Sequence, residues 1–231
     1  ESSNFGTLFN FTDGSVRLNN FRDESHFIDS YPFIPFQFTL FREAIKGLSD
    51  YNAFEGKHAS VGERSLLGVF RDVSIAISSK QLGAIAPFDM MYSGISSVLK
   101  TFIQSSIQVA ESNLNNPFAV RILKALFLVK YYNQFKPTLH NITILMLESF
   151  EENLPKLKER ITEALNILEQ ETYIQRNGEM YEFLTKEEKD IETEIKNTEL
   201  ENSDLTDTIS ELVFKDIIQS PKIRYSALNI D

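Results

Sequence analysis

The chain has 231 residues, no cysteine and a formal net charge of −10 at pH 7. This length allows one or two domains with a hydrophobic core, and the absence of cysteine excludes disulfides and thiolate metal sites. The negative charge argues against a protein that wraps broadly around nucleic acid. Neither a signal peptide nor an apolar run long enough to span a bilayer is present in the sequence, so we expect a cytoplasmic protein without a membrane partner.

The first 30 residues predict a small hairpin and a polar segment that leads into the helices. Two short apolar segments, residues 8–11 and 15–18, flank Thr12-Asp13-Gly14. Glycine supplies the backbone freedom that such a tight turn needs. The chain begins at Glu1 and not at Met, so we expect a piece of a longer protein.

The following region predicts three helices separated by breaks. A helix is expected just after Pro35, because Pro32 and Pro35 push the residues before them to extended backbone. Residues 47–62 predict a loop or broken region, and apolar side chains at helical spacing predict helices over residues 63–79 and 89–113. The inward face of the earlier of these two helices is expected to carry Leu66, Leu67, Phe70, Val73 and Ile77.

Residues 116–185 predict three helices followed by a β-hairpin, which is the element order of a winged-helix domain. Helices are expected after Asn116-Pro117, after Lys136-Pro137 and over residues 154–168, where apolar side chains recur at helical spacing. Asn177-Gly178 lies between two alternating segments and predicts a type I′ turn, which needs positive φ at both central residues. Winged-helix domains read DNA, mediate protein contacts or simply pack against neighbours.

An acidic segment follows the predicted hairpin. Thr185 and Glu188 have the spacing of a helix capping box, so a long helix is expected to begin there. Residues 186–213 hold three lysines against ten acidic residues, with Asn202-Ser203-Asp204 as a possible interruption. This negative charge repels the phosphates of nucleic acid. We therefore predict that the acidic helix contacts protein or serves as a spacer between domains. The incomplete apolar stripe is suited to packing on the winged unit or on a second chain. Residues 222–231 have mild strand character.

Enzymatic chemistry finds no support in the motifs. A phosphate loop needs Gly at position 51 and Ser or Thr at position 58, where this chain has Tyr51 and His58. The histidines are distant from one another in sequence and lack the paired spacing of metal ligands, and no Gly-x-Ser-x-Gly elbow is present. We therefore predict no catalytic residue and no metal site. Glu148, which follows an apolar helical segment, is expected to face solvent.

Two sets of cations are candidates for anion binding. Arg64 lies in the first turn of a predicted helix, whereas the helix dipole favours arginine at the other end. It therefore suggests contact with an anion such as a γ-phosphate, the alternative being a salt bridge or a solvated side chain. For DNA the candidates are Lys156 and Arg160 on the third helix of the winged unit and Arg176 at the hairpin turn. Nearby glutamates, among them Glu159 and Glu163, predict weak binding at most.

Several separated motifs occur in this order: Tyr31-Pro32-Phe33-Ile34-Pro35-Phe36-Gln37, Gly56-Lys57-His58, Gly62-Glu63-Arg64-Ser65-Leu66-Leu67, Tyr173-Ile174-x-Arg176-Asn177-Gly178 and Phe183-Leu184-Thr185. With them nearly the whole chain resembles the large P-loop ATPase of BREX bacteriophage-resistance systems, the BrxC/PglY family. That ATPase is related to AAA+ proteins of the origin-recognition type. In those proteins a helical lid and a winged helix follow the nucleotide-binding core.

The resemblance implies a mainly α fragment with small β-hairpins, in which residues 31–115 are a helical AAA+-type lid and residues 116–185 the winged helix. Residues 1–30 hold the hairpin and the leading segment, and residues 186–231 hold the acidic helix and the start of the next region. It also implies a nucleotide-sensing role for Arg64. ATP and Mg²⁺ are implied as ligands of the longer protein, with no cofactor in the fragment. Other BREX proteins or self-association are the implied partners.

The function expected on this basis is that of a lid and winged-helix portion of a BREX-type ATPase in phage defence. Such a portion is not catalytic by itself and couples the nucleotide state to DNA or protein partners. Two alternatives remain, a winged-helix DNA-binding regulator and a structural oligomerisation or docking module. The absent phosphate loop and the missing initiator Met favour the fragment.

Overall fold

A computed structural model of the chain describes residues 9–11, 18, 20–55, 63–197 and 202–219. Side chains outside this description are those of residues 63–65, 197 and 202–205. The chain is mainly helical and its described part holds one two-stranded antiparallel hairpin, so the predicted fold class is confirmed. Most of the hairpin predicted near the N-terminus and all of the predicted C-terminal strand lie outside the described residues.

The chain divides into two compact units, residues 1–190 and 191–231. The helices in the first part of the larger unit are α1 (Glu24–Ser30), α2 (Pro35–Asp50), α3 (Glu63–Ile77), a 3₁₀ helix (Phe88–Tyr92), α4 (Ser93–Ser96) and α5 (Thr101–Asn113). The expected loop over 47–62 is thus wrong at its start, because α2 continues through Asp50. Helix α1 was not predicted, although Asp23 is a good N-cap and its carboxylate accepts a hydrogen bond from the N–H of His26.

The helix predicted over 89–113 is interrupted before α5. Around Leu99 the chain leaves the helix and forms a β-bridge with Phe54. Lys100 donates its N–H to the carbonyl of Ala53 at 2.8 Å, and Glu55 donates to the carbonyl of Val98 at 3.0 Å. The break therefore exchanges helical hydrogen bonds for pairing with the segment that follows α2, a long-range partner that local sequence does not specify.

The segment before α2 is tied to the chain ahead of the 3₁₀ helix. Gln37 is buried; its side chain accepts from the N–H of Ile34 and donates to the carbonyl of Ala86 at 2.7 Å. Ala86 in turn donates its N–H to the carbonyl of Pro32 at 3.0 Å. Tyr31 accepts a hydrogen bond at its hydroxyl oxygen from the N–H of Gly83. The aromatic and proline-rich motif at 31–37 thus fixes where α2 starts.

The expected phase of α3 is wrong at one position. Val73 and Ile77 are buried and Phe70 is partly buried, but Leu67 is 70% exposed. Buried Val69, one turn before Val73, sets the inward stripe of this helix instead. Helical spacing allows both phases, and the packing partners decide between them.

The second part of the larger unit has the predicted order of three helices and a hairpin. Its elements are α6 (Pro117–Val129), α7 (Leu139–Leu145), α8 (Leu154–Gln170), β1 (Ile174–Asn177) and β2 (Met180–Phe183). Each helix begins after a side-chain cap, since Asn116, Thr138 and Asn153 accept hydrogen bonds from backbone N–H groups of the first turn. These caps explain why the helix starts were predictable.

The hairpin turn differs by one residue from the prediction. Asn177 pairs with Met180, so the two central turn residues are Gly178 and Glu179. Gly178 has a φ of +62°, whereas Asn177 is not among the residues with positive φ. Glycine at the first central position is the pattern of a type II′ turn, not of the expected type I′. Thr138, ahead of α7, forms a further bridge to Met180 and extends the hairpin by one short segment.

Helix α6 lies at the centre of the larger unit. It contacts α2, α5 and the 3₁₀ helix, which precede it in the chain, and α7, α8 and β2, which follow it. Nine of its residues are buried, namely Ala119, Val120, Ile122, Leu123, Ala125, Leu126, Phe127, Leu128 and Val129. The ring of Phe127 meets Tyr92 and Phe183 edge-on. One hydrophobic core therefore continues from the helices of residues 35–113, which we call the lid-like helices after the predicted resemblance, into the winged unit.

The predicted capping box at the end of the hairpin is confirmed. Thr185 donates its N–H to Glu188 at 2.7 Å, and Glu188 donates its N–H to the Thr185 hydroxyl at 3.3 Å. Helix α9 (Lys186–Asn197) follows, then α10 (Asn202–Glu211) and a π-helical turn (Leu212–Ile217). The residues expected to interrupt the acidic helix, Asn202-Ser203-Asp204, form instead the first turn of α10.

Substitution of Gly47 by Ala tests the packing of α2 against the end of α6. A Cβ there would lie 2.5 Å from the carbonyl oxygen of Tyr131, which is backbone and cannot rotate away. We expect Gly47→Ala to lower the free energy of unfolding by about 1–3 kcal/mol. The matched control is Gly68→Ala in α3, where no atom lies within 4 Å. That change should raise stability by roughly 0.5–1 kcal/mol through helix propensity.

Both free energies are measured by urea unfolding followed by far-UV circular dichroism. Equal stability of the Gly47→Ala protein and the unsubstituted chain would show that α2 does not approach Tyr131 this closely.

Candidate nucleic-acid interface and the ion pairs of the central helix

The exposed face of α8 carries charges of both signs. Lys156 and Arg160 are exposed and one helical turn apart, as their spacing predicts. Glu159 and Glu163 are also exposed and lie on the same helix. Neither cation takes part in an ion pair within the described part of the chain. Two free cations beside two acids make a small and nearly neutral surface.

Arg160 is held by an aromatic ring at the start of α6. Its guanidinium carbon lies 4.2 Å from the centroid of Phe118, which is a close cation–π contact. Stacking in this way leaves the edge of the guanidinium, with its N–H groups, available to an anion. The ring thus orients Arg160 without neutralising its charge.

Arg176 lies at the hairpin and folds back over the turn. Its Nε donates to the carbonyl of Gly178 at 3.0 Å, and its guanidinium carbon lies 5.6 Å from the centroid of the Tyr181 ring. The terminal Nη groups make no ion pair within the described residues. Strand β1 contacts α8, so Arg176 belongs to the element next to the helix that carries Lys156 and Arg160.

Arg64 is placed only by its backbone. It lies in the first turn of α3, as predicted, while its side chain is outside the described residues. A nucleotide-sensing role for Arg64 therefore stays a prediction.

A partly buried ion-pair network that the sequence did not predict joins α6 to two other segments. Arg121 of α6 donates from Nε to Oδ2 of Asp89 at 2.9 Å and from Nη2 to Oδ1 at 3.2 Å, a bidentate pair. A third donor, Nη1, binds Glu148. The Glu148 carboxylate also accepts a hydrogen bond from Nζ of Lys80 at 3.3 Å. Glu148 is 32% exposed and faces solvent in part, but its carboxylate also joins two cations that come from different parts of the unit, which the sequence did not predict.

The ion pairs shift the pKa values of Glu148 and Arg121. Burial on its own would raise the pKa of Glu148, but the hydrogen bond and positive charge of Arg121, followed by those of Lys80, hold it below its usual value. Burial also disfavours the charged form of Arg121, and the carboxylates of Asp89 and Glu148 overcome this and raise its pKa. Arg121 and Glu148 are therefore both charged at neutral pH.

A sequence signal for this network exists, although it does not identify the partners. Helix α6 is apolar on nearly every side, yet it contains Arg121 and Lys124. A cation in such a helix requires a carboxylate, since an unpaired buried charge is costly. Lys124 pairs with Glu111 of α5 at 2.6 Å. Only the tertiary structure shows that Asp89 is the buried partner of Arg121, with an exposed fraction of 6%.

The far end of α6 is tied to the segment that follows the hairpin. Lys130 donates from Nζ to the carbonyl of Phe183 at 2.6 Å and to Glu188 at 2.7 Å. A cation at a helix C-terminus also offsets the negative end of the helix dipole. Burial opposes ionisation of Glu188, but hydrogen bonds from Lys130 and the backbone of Thr185 lower its pKa. Ion pairs therefore join α6 to neighbouring segments both in its first half, through Arg121, and at its C-terminal end, through Lys130.

Within the described residues, no group of three or more His, Asp or Glu side chains is arranged to hold a metal ion. No helix among them is long and apolar enough to cross a membrane. No model of a known protein family matches the chain. No solved structure matches it at a significant level.

The substitution Arg121→Met tests how much the network contributes to the free energy of unfolding. Loss of the guanidinium leaves the buried carboxylate of Asp89 without its bidentate partner. Because Arg121 is itself 30% exposed, we expect a loss of about 2–3 kcal/mol, below the cost of breaking a fully buried pair. The control is Arg71→Met, which breaks an exposed pair with Asp72 and should change stability by less than about 0.5 kcal/mol.

Acidification should remove part of the same stabilisation. The pKa of Glu148 is lowered in the folded chain, so its contribution is present above the unfolded pKa of about 4.5 and is lost as pH falls through the folded value. Unfolding free energies measured between about pH 6 and pH 3 should fall less steeply for Glu148→Gln than for the unsubstituted chain. Parallel curves, or an Arg121→Met protein as stable as the Arg71→Met control, would contradict the network's role.

Proposed function

We propose that this chain is the non-catalytic lid and winged-helix portion of a BREX-type ATPase in phage defence, where it couples the nucleotide state to DNA or protein partners. The observation that carries the proposal is the shared core around α6. Helices in the region that resembles a lid and helices in the winged unit both contact this one helix. A displacement of the lid-like region would therefore move the wing as well.

The contacts of the resembling motifs support this proposal. Residues 31–37 fix the start of α2 through the hydrogen bonds of Gln37 and Tyr31. At the other end, Tyr173 and Ile174 are buried beside the hairpin, and Thr185 caps α9. These motif residues have roles in folding, as expected if the likeness to the BREX ATPase extends to the architecture.

The Arg121 network offers a route for the coupling. Asp89 belongs to the lid-like region, Arg121 to α6, and Glu148 to the connection between α7 and α8. Three separate segments are thus joined through one guanidinium. The bidentate pair of Arg121 with buried Asp89 has few alternative arrangements, so these segments are expected to move together and not to deform independently.

ATP hydrolysis by the intact protein tests the proposal. The isolated chain should hydrolyse no ATP above buffer, because it lacks a phosphate loop. In the intact protein, Arg64→Ala should lower turnover by roughly tenfold or more if the guanidinium contacts phosphate in the transition state. The matched control is Arg71→Ala in the same helix, where the side chain is 71% exposed and paired with Asp72. This control should leave turnover unchanged.

The outcomes separate the two parts of the claim. An intact protein that neither binds nor hydrolyses ATP would end the ATPase proposal. An active ATPase whose turnover is the same with Arg64→Ala as with Arg71→Ala would reject only the nucleotide-sensing role of Arg64.

DNA binding by the isolated chain should be weak. Non-specific affinity comes mainly from phosphate neutralisation, and each neutralised phosphate adds about −0.9 to the slope of log affinity against log salt. Lys156, Arg160 and Arg176 are too few, and too close to acids, for tight binding at about 150 mM salt. If weak binding is found at low salt, replacing all three by Ala should abolish it.

The control replaces three cations on α2 and α3, Arg42, Lys46 and Arg71, by Ala and should leave the residual binding intact. A second variant, Glu159→Gln with Glu163→Gln, should strengthen DNA binding, because it removes negative charges that repel phosphate from the helix that carries Lys156 and Arg160. A mobility-shift titration decides the matter. Tight binding that survives the Lys156, Arg160 and Arg176 replacement would defeat both the weak-binding claim and the assignment of residues.

A further inference from the structure

The smaller unit ends in a run of exposed apolar side chains. Between residues 209 and 218 the large apolar side chains are half exposed or nearly so: Ile209 55%, Leu212 51%, Phe214 36%, Ile217 69% and Ile218 40%. We call these five residues the apolar segment. It spans the end of α10 and the π-helical turn. Isolated exposed hydrophobic residues are ordinary on a protein surface, but five within ten positions are not.

Nothing within the described part of the smaller unit covers these side chains. Helix α10 is short, and helices of this length are marginal in water unless an apolar face is buried. The π-helical turn that follows is a rare element, found mostly at functional positions in helices. The segment therefore has the properties of a surface that a partner completes.

Acidic side chains surround the apolar segment. Asp207, Glu211 and Asp216 are exposed and lie within or beside it. Lys215 is the one cation in residues 202–219, and its Nζ is already bound to Glu211 at 2.7 Å. Asp207 and Asp216 form no ion pair among the described residues. An apolar surface with a negative rim is complementary to an apolar surface with a positive rim.

We propose that the apolar segment is a docking surface for a basic amphipathic helix of another protein. Such a helix places apolar residues at i, i+3, i+4 and i+7 against the segment, with lysines or arginines facing Asp207 and Asp216. A second copy of this chain fits less well, since a symmetric contact brings the same acids against each other. A membrane with anionic lipids fits less well for the same electrostatic reason.

The test uses the full chain and a designed fluorescent peptide of about 18 residues, long enough to form an amphipathic helix. Leucines occupy one face and lysines the other, and a second peptide carries glutamate in place of lysine. Fluorescence anisotropy should show binding of the lysine peptide and none of the glutamate peptide. Raising the salt from about 50 to about 300 mM should weaken binding severalfold, because the rim charges are exposed.

Two double variants separate apolar docking from general attraction to an acidic protein. Ile209→Ser with Ile217→Ser should weaken binding of the lysine peptide by at least about tenfold while leaving every charge in place. The matched control is Leu67→Ser with Ile75→Ser, which changes two apolar residues of α3 that are at least comparably exposed. This variant should bind the lysine peptide as the unsubstituted chain does. Circular dichroism checks that helix content is unchanged in both.

Each remaining outcome overturns the proposal. Equal binding by the Ile209/Ile217 variant and the control would mean that charge alone attracts the peptide. Equal binding of the glutamate peptide would remove the argument from the acidic rim. No binding of either peptide would leave no docking surface for a basic helix. Self-association of the chain in sedimentation, lost in the Ile209/Ile217 variant, would assign the surface to a second copy.

Discussion

The burial of α6 on nearly all sides is the constraint on which the larger unit depends. Every neighbouring helix and one strand of the hairpin use this helix as part of their core. Its cations must reach carboxylates at its surface, which Arg121 does through Asp89 and Glu148, Lys124 through Glu111 and Lys130 through Glu188. Apolar packing supplies most of the stabilisation, while the ion pairs join these segments to α6.

A central helix of this kind favours transmission of movement over independent motion of the parts. The lid-like helices and the hairpin do not need direct contact with each other, because both rest on α6. In a longer nucleotide-driven protein, a ligand that binds one arrangement of the lid-like region more tightly would shift the wing with it.

Local signals made the winged unit the best predicted part of the chain. Asn116 before Pro117 and Asn153 before the third helix are strong caps, and Gly178 marks the turn. The sequence did not identify features that depend on distant partners. Pairing of Leu99 with Phe54 interrupts a helix that local spacing favours, Glu148 is drawn to Arg121, and the phase of α3 follows the core and not the local pattern. Positions of Lys156 and Arg160 on one exposed face could be predicted, whereas the contact of Arg160 with Phe118 could not.

Native-state hydrogen exchange tests most directly the claim that one core joins the lid-like helices to the winged unit. Amides of α2, α6 and α8 should exchange only through one common opening, with the same free energy and the same dependence on low concentrations of urea. The account would be contradicted if α7, α8 and the hairpin exchanged through an opening of their own while α2 and α6 stayed protected. In that case the winged unit could move without the lid-like helices, and α6 would not couple them.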